Sequence, residues 1–361
     1  MVWKEKMIFE ISKGDRYGFT NKKFINKKLY QAKSLIGTFV DKDGYMAPYH
    51  CGAVSEEKGL SVKKAFSESI ERRALMKGAK ELKGDGTKSI VYDILRKEVQ
   101  TLPIEYTKYR ETPPHIDTTG TATHSNGKIA VFNAVSELLE KNSVFLLWYG
   151  KDTKKIKHNQ FSSIYKDYLL FENSGIHLFL QSTFFPLFIV VAIIKCDPRY
   201  SLLKYKFGVG SSFNLDEAIN KALSEAYFLG KYNEHVYFFN KYQEYDDIAL
   251  TFQFEEETQN YIEDFIHLEE TSSTIYTNFD LSAKEKLGYV VNNLPKWIKD
   301  LKVSILLQSV DNNLIIAKVY SESLYTHIPI KKYIDLNKDI NKKYLKLKEE
   351  DFSIVPDCPI I

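Results

Sequence analysis

The sequence predicts a mixed α/β fold with substantial antiparallel content. Three observations predict it. A pattern of loop, strand, glycine and helix recurs around three charged segments. The longest apolar run, Phe184–Ile194, is interrupted early by Pro186 and is rich in Ile and Val, which reads as a buried strand. Towards the end, residues 303–309 and 314–320 flank Asp311-Asn312-Asn313 as the arms of a hairpin.

Taken in order, residues 1–60 are mixed, with a turn-forming Asp41-Lys42-Asp43-Gly44 and a loop from Gly52 to Lys58-Gly59. Ser61 is expected to cap a helix that runs to about Lys77. Gly84-Asp85-Gly86 breaks the chain before a strand over 89–95, and Pro113-Pro114 breaks it again. The small-residue loop at 119–127 leads into a long helix from about Lys128 to Tyr149. Strands are expected at 176–181, 187–195 and 202–207. The last ends in Gly208-Val209-Gly210-Ser211-Ser212, which reads as a plain turn. Asn214 with Glu217 forms an N-cap and capping box for a helix reaching Gly230. Residues 255–270 read as a further helix. With no low-complexity linker to force a cut, 1–361 is expected to be a single domain. Residues 1–235 would carry its motifs and 236–361 would complete the fold.

Composition excludes several classes. A net charge of +3 gives no case for a nucleic-acid or membrane partner. The three cysteines, Cys51, Cys196 and Cys358, are far apart and form no metal-like spacing, so a reducing cytoplasm is expected. The N-terminus has neither the apolar core nor the cleavage site of a signal peptide. The apolar run is too short to cross a bilayer as a helix.

The chemistry concentrates on the charged helices. On the first, Val62, Ala65, Phe66, Ser69 and Ile70 fall on one side, while Lys64, Glu68, Glu71 and Leu75 fall on the other beside Arg72. An ordinary solvated face with a Lys64–Glu68 pair worth a few tenths of a kcal/mol is the competing reading. The second helix resists that reading. Its apolar residues cover most of its circumference, yet Asn133, Glu137 and Glu140 gather on one stripe. A third helix offers Lys221 and Glu225 one turn apart. Burying like charges without a partner costs several kcal/mol, so a bound cation is expected.

Glu68, Glu71, Glu137, Glu140 and Glu225 supply five negative charges, and ATP would add about four. Arg72, Lys58 and Lys221 with two Mg²⁺ return all but about two of them. Hard oxygen ligands without Cys or His suit Mg²⁺. Other features carry less. Gly84–Ser89 lacks the spacing of a phosphate loop. His124 reads as structural, and neither Cys51 nor Cys358 has a readable base. No catalytic residue is assigned.

These residues resemble the YcaO family. The resemblance rests on Lys58-Gly59-Leu60-Ser61 leading into Glu68-Ser69-Ile70-Glu71-Arg72, and on Thr119–Thr123 followed by Asn133 through Glu137, Glu140 and Lys141. It closes with Phe207–Gly210 followed by Lys221 through Glu225 and Ala226, and it covers roughly residues 45–235. The resemblance implies a YcaO-type fold with mixed sheets and helices converging on a Mg-ATP site. Glu68, Glu71, Glu137 and Glu140 would hold magnesium. Arg72, Asn133, Lys221 and Lys58 would contact phosphates or nucleotide, and Glu225 would support the site. Three positions depart from the pattern. Lys64 stands where many members have Ser, and Lys141 and Lys221 stand where Arg is frequent; Lys keeps the charge but loses the bidentate fork. The tail, Pro356-Asp357-Cys358-Pro359-Ile360-Ile361, is a shortened form of the proline-rich end of cyclising members.

The implied activity is ATP-dependent cyclodehydration. A Cys, Ser or Thr of a ribosomal precursor peptide would close onto the preceding amide to give thiazoline or oxazoline, in the manner of bacteriocin biosynthesis. Thioamide or amidine formation, or a non-catalytic scaffold subunit, are the alternatives. Since the resemblance starts near residue 45, a separate E1-like, leader-peptide-binding partner is expected. A flavin dehydrogenase that aromatises the rings is an optional second partner, and homodimerisation is left open.

Overall fold

The computed structural model describes residues 8–12, 29–35, 50–157, 164, 175–198, 201–240, 252, 254–270 and 278–360. Three antiparallel sheets organise them. The first contains β1 (Ile8–Ser12), β2 (Tyr30–Leu35) and β3 (His50–Ser55) in that order. From β3 the chain enters α1 (Lys58–Lys77), then β4 (Glu81–Leu82), β5 (Asp85–Asp93) and β6 (Glu98–Pro103). β7 (Thr121–His124) leads into α2 (Gly127–Trp148) and β8 (Lys154–Lys155). β9 (Gly175–Gln181), β10 (Phe188–Lys195) and β11 (Tyr205–Ser212) follow, then α3 (Leu215–Asn240), α4 (Glu256–Ile266) and α5 (Ala283–Asn293). The hairpin β12 (Lys302–Ile305) and β13 (Ile315–Tyr320) completes the regular elements, with Val303 opposite Val319.

The second sheet has the order β11-β10-β9-β8, and the third β4-β5-β12-β13-β7 with β6 on β5. Each sheet thus supplies one strand that turns directly into a long helix. β3 feeds α1, β7 feeds α2 and β11 feeds α3. Each helix packs on its own strand and reaches the strand of the next unit: α1 touches β7, α2 touches β11, and α3 touches β3. The three units form a closed ring. The largest core cluster lies around α2, whose Ala134, Leu138, Leu139, Phe145 and Trp148 are fully buried.

The expected fold class is what is seen, and the hairpin about residues 311–313 is present. Local corrections have simple causes. α1 begins at Lys58 rather than Ser61, whose hydroxyl instead donates to the Lys58 carbonyl at 2.8 Å. Leu75, expected with the charged residues, is buried with Ile70 and Ala74, because α1 is covered by two sheets. Asp85 starts a strand rather than a break, and β12 ends at Ile305. Asn214 does accept from the Glu217 N–H at 3.2 Å, but the Glu217 carboxylate accepts from the Ser212 hydroxyl at 2.7 Å.

The largest correction concerns Gly208 and Gly210. They lie inside β11, not in a turn. A Cβ on Gly208 would stand 2.1 Å from the Ala222 carbonyl oxygen, and one on Gly210 2.5 Å from that of Ala218. The glycines let α3 lie with its backbone on the strand, and Ala218, Ala222 and Ala226 are the small residues that meet them. Overpacking where backbone meets backbone typically costs about 1–3 kcal/mol or more. Gly208→Ala is therefore expected to lower the urea midpoint by at least that equivalent. An unchanged midpoint would mean that α3 does not rest on β11.

Candidate functional site

The ring of three strand–helix units is stitched by one repeated hydrogen bond. Gly52 N–H donates to Glu68 Oε2 at 2.7 Å, Thr121 N–H donates to Glu137 Oε2 at 3.1 Å, and Val209 N–H donates to Glu225 Oε2. In every case the carboxylate lies 16 residues after the amide. A second set of bonds joins neighbouring units. Thr123 N–H donates to Glu71 at 2.7 Å, so α1 holds β7. Glu140 of α2 sits close enough to Ser211 of β11 for that residue to oppose the effect of burial on its carboxyl. At the third joint the residue in the corresponding place is Phe228, whose ring lies against Gly52 of β3. A carboxylate stands at two joints and an aromatic ring at the third.

A sequence signal for this arrangement exists and was missed as a repeat. Lys64-Ala65-Phe66-Ser67-Glu68, Asn133-Ala134-Val135-Ser136-Glu137 and Lys221-Ala222-Leu223-Ser224-Glu225 share one pattern. Each alanine is fully buried, and each glutamate is the one that clamps its own strand. Lys64, Asn133 and Lys221 are therefore equivalent positions, one turn before the clamp.

The glutamates line a cleft: their side chains retain some accessible surface, 29% for Glu68, while protein surrounds them on nearly every side. Burial raises every one of their carboxyls. Glu71 is pushed up to about 8 by burial and then by the Glu68 charge. Glu137 rises well above the usual range through burial and then Glu71. Glu225 reaches about 7, where Lys141 and the Val209 N–H oppose burial while Glu140 and Glu68 reinforce it. Glu140 is raised by burial against Ser211, Lys221 and Lys141. Burial also raises Glu68, against Arg72, which donates to Glu68 Oε1 at 2.6 Å. These mutual charge effects place all five carboxylates around one space. Lys64 is driven down by burial and by facing Lys221, so cations converge there as well. Lys221 Nζ donates to the Ser211 carbonyl at 2.7 Å.

Of the residues singled out in the sequence, Glu68, Glu71, Arg72, Glu137, Glu140, Lys221 and Glu225 come together. Asn133 is exposed on α2, one turn before Glu137. Lys58 stands apart, exposed at the first position of α1, roughly 15 Å along the axis from Glu68. His124 accepts the Asn126 N–H at 2.9 Å within the turn into α2, a structural role. Cys358 and Ile360 of the tail are buried in the core, and the Pro356 carbonyl accepts from Trp148 Nε1 at 2.9 Å. Ile361, and with it the expectation for its carboxylate, lies outside the described residues. Among the described residues, no three His, Cys, Asp or Glu side chains form a metal cage by themselves. That still suits Mg²⁺, which takes one or two carboxylates and completes its shell with phosphate oxygens and water. The donor set is hard oxygen throughout, and raised carboxyl groups mark a deficit of positive charge.

Residues 86–296 match the model of the YcaO cyclodehydratase family, described as ATP- and Mg²⁺-binding. The chain belongs to the YcaO family. The matched segment contains the second and third units, while the Gly52–Arg72 unit precedes it. No curated protein matches the sequence significantly. Among solved structures, the chain is similar to one in the E. coli microcin synthetase McbBCD complex with pro-MccB17 bound, at 15% identity and TM-score 0.69. That match covers 98% of this chain and 96% of the other. YcaO from Methanopyrus kandleri, bound with AMPPCP and Mg²⁺, matches at 12% identity and TM-score 0.64, covering 88% and 86% of the two chains. A heterocyclase in complex with substrate and cofactor matches at 12% identity and TM-score 0.63, over 90% of this chain and 50% of that one. At such identities the likeness is one of fold. As a YcaO protein the chain is an ATP-dependent enzyme whose cofactors are ATP and Mg²⁺. No helix among the described residues is long and apolar enough to cross a membrane.

The geometry of the clamps makes a direct prediction. Glu71→Gln and Glu137→Gln keep an acceptor for the Thr123 and Thr121 N–H groups and remove charge from a crowded cleft. In EDTA their melting temperatures are expected to equal or exceed that of the wild type. Glu137→Leu, which leaves the Thr121 N–H only the Thr118 carbonyl at 3.0 Å, is expected to lose about 0.5–1.5 kcal/mol. A Gln variant as unstable as the Leu variant would contradict this account of the charges.

Proposed function

We propose that this chain is a peptide cyclodehydratase that activates backbone amides with ATP. The observation that carries the reading is the meeting of five partly enclosed carboxylates from three helices around one cleft rimmed by Arg72, Lys64, Lys141 and Lys221. Glu68, Glu71, Glu137 and Glu140 would hold Mg²⁺, with Glu225 supporting them. Arg72, Asn133 and Lys221 would contact the phosphates, and Lys58 would reach an outlying part of the nucleotide. The metal supplies charge neutralisation on the phosphate oxygens. The protein's own share is positioning: carboxylates tied to strand amides cannot swing away, and the lysines draw the polyanion in.

The chemistry needs no covalent enzyme nucleophile. The thiol or hydroxyl of a substrate Cys, Ser or Thr adds to the preceding carbonyl carbon and loses its proton, leaving an oxyanion. That oxygen takes the γ-phosphoryl group of ATP and ADP departs. Phosphate then leaves as the former amide nitrogen loses its proton and forms the C=N bond of a thiazoline or oxazoline. The whole chain 1–361 would act as one domain in this role. A separate leader-binding, E1-like protein would present the precursor peptide, with a flavin dehydrogenase acting afterwards on the rings. The fold likeness to one chain of the synthetase complex with pro-MccB17 bound supports an assembly of this kind.

Purified chain with ATP, Mg²⁺, precursor peptide and partner is expected to remove one water per ring, read by intact mass. Glu71→Gln is expected to abolish turnover and to remove the thermal stabilisation given by Mg²⁺ with a non-hydrolysable ATP analogue. Gain of mass by sulfur-for-oxygen exchange would overturn the cyclisation and leave amide activation standing. No change of peptide mass, with nucleotide bound, would leave a scaffold subunit.

A further inference from the structure

Behind the second unit lies a charged residue that neither the motifs nor the family resemblance singles out. Lys318, on β13, is 1% exposed and stands directly opposite Thr121 in the β13–β7 pairing. Thr121 is the residue whose N–H clamps Glu137. The Lys318 ammonium donates to the Asp117 carbonyl at 2.7 Å and to the Thr119 carbonyl at 2.6 Å. Those carbonyls belong to the turn that delivers the chain into β7. The turn has little freedom. Gly120 takes φ +74°, a Cβ there would stand 3.0 Å from the Val319 carbonyl, and Val319 N–H donates to the Gly120 carbonyl at 2.8 Å.

A buried ammonium without nearby negative charge is costly, and two carbonyls supply only partial charges. The Asp117 and Glu137 carboxylates are the negative groups that favour its charged form. Asp117 is committed to the Thr119 and Ile328 N–H groups at 2.7 and 2.5 Å. Glu137 also lines the cleft. The ammonium and the cleft thus both act on Glu137, the ammonium through its charge and through the turn that leads to Thr121.

We propose that Lys318 is a positioning residue. It anchors the turn that sets the Glu137 clamp and balances the charge of that carboxylate. It thereby sets how tightly the cleft takes a divalent cation. This rests on the Mg²⁺–nucleotide reading of the site. A cation at this place repels a metal in the cleft and favours a polyanion there, so the two affinities move in opposite directions when its charge is removed.

The test uses the full chain with Lys318→Gln, which keeps a donor for the two carbonyls, and Lys318→Met, which does not. Mn²⁺ alone is titrated and followed by electron paramagnetic resonance, and ADP alone is titrated in EDTA. Lys318→Gln is expected to bind Mn²⁺ roughly three- to tenfold tighter than the wild type and metal-free ADP at least about threefold more weakly. Both affinities falling together, or neither changing, overturns the proposal, as does failure of Lys318→Gln to fold, since each describes a purely structural lysine. A wild type that binds neither Mn²⁺ nor ADP overturns the reading of the site itself.

Discussion

Everything at this site depends on a carboxylate accepting the N–H of a strand that came 16 residues earlier. The bond does two jobs. It ties each helix to its own strand at a set height, and it spends one carboxylate oxygen on the strand; the other takes Arg72 in Glu68 and is left to the cleft in Glu137 and Glu225. Charge-assisted bonds to backbone amides are short and directional, so the free oxygen inherits the rigidity of the sheet. Glu71 extends the same device across the joint from α1 to β7, and Glu140 stands beside Ser211 at the next. Three sheets that share no strand become one scaffold around one space.

The electrostatics follow from that arrangement. Folding brings five carboxylates into a poorly solvated cleft, and their charges raise one another in turn. The nearby cations do not cancel this, because Arg72 is engaged by Glu68 and Lys221 by the Ser211 carbonyl. Such a site is unfavourable until positive charge arrives with a ligand that can bring phosphate oxygens too. Under the proposed function, that is the physical link between these residues and the ATP and Mg²⁺ dependence of the family.

Much of this was legible in the sequence. The long helices announce themselves through apolar coverage interrupted by a narrow acidic stripe, and Glu137 with Glu140 on the otherwise apolar α2 weigh against a solvated face without excluding one. The hairpin at Lys302–Tyr320 and the buried strand Phe188–Lys195 follow from alternation and β-branching. Gly208 and Gly210 misled because glycine signals a turn locally, whereas here its meaning is the closeness of α3, a tertiary fact. Leu75 was misplaced for a related reason: a helical wheel assumes one buried face, and α1 has two. Lys58 matched a motif by adjacency in the chain, but a helix carries it away from the cleft. Lys318 was invisible, since an isolated lysine in a strand ordinarily points to solvent, and only the β13–β7 register puts it behind Thr121.

The joint between α3 and β3 differs from the other two, with Phe228 lying on Gly52 where the others use acids. The ring therefore answers to two kinds of solution variable. Ionic strength and dissolved metal work on the acid-bearing joints, whose attractions are screened within a Debye length wherever water reaches them. The aromatic joint is indifferent to both and weakens instead on cooling, as apolar contacts do. One molecule thus carries a salt-responsive seam and a temperature-responsive seam around the same opening.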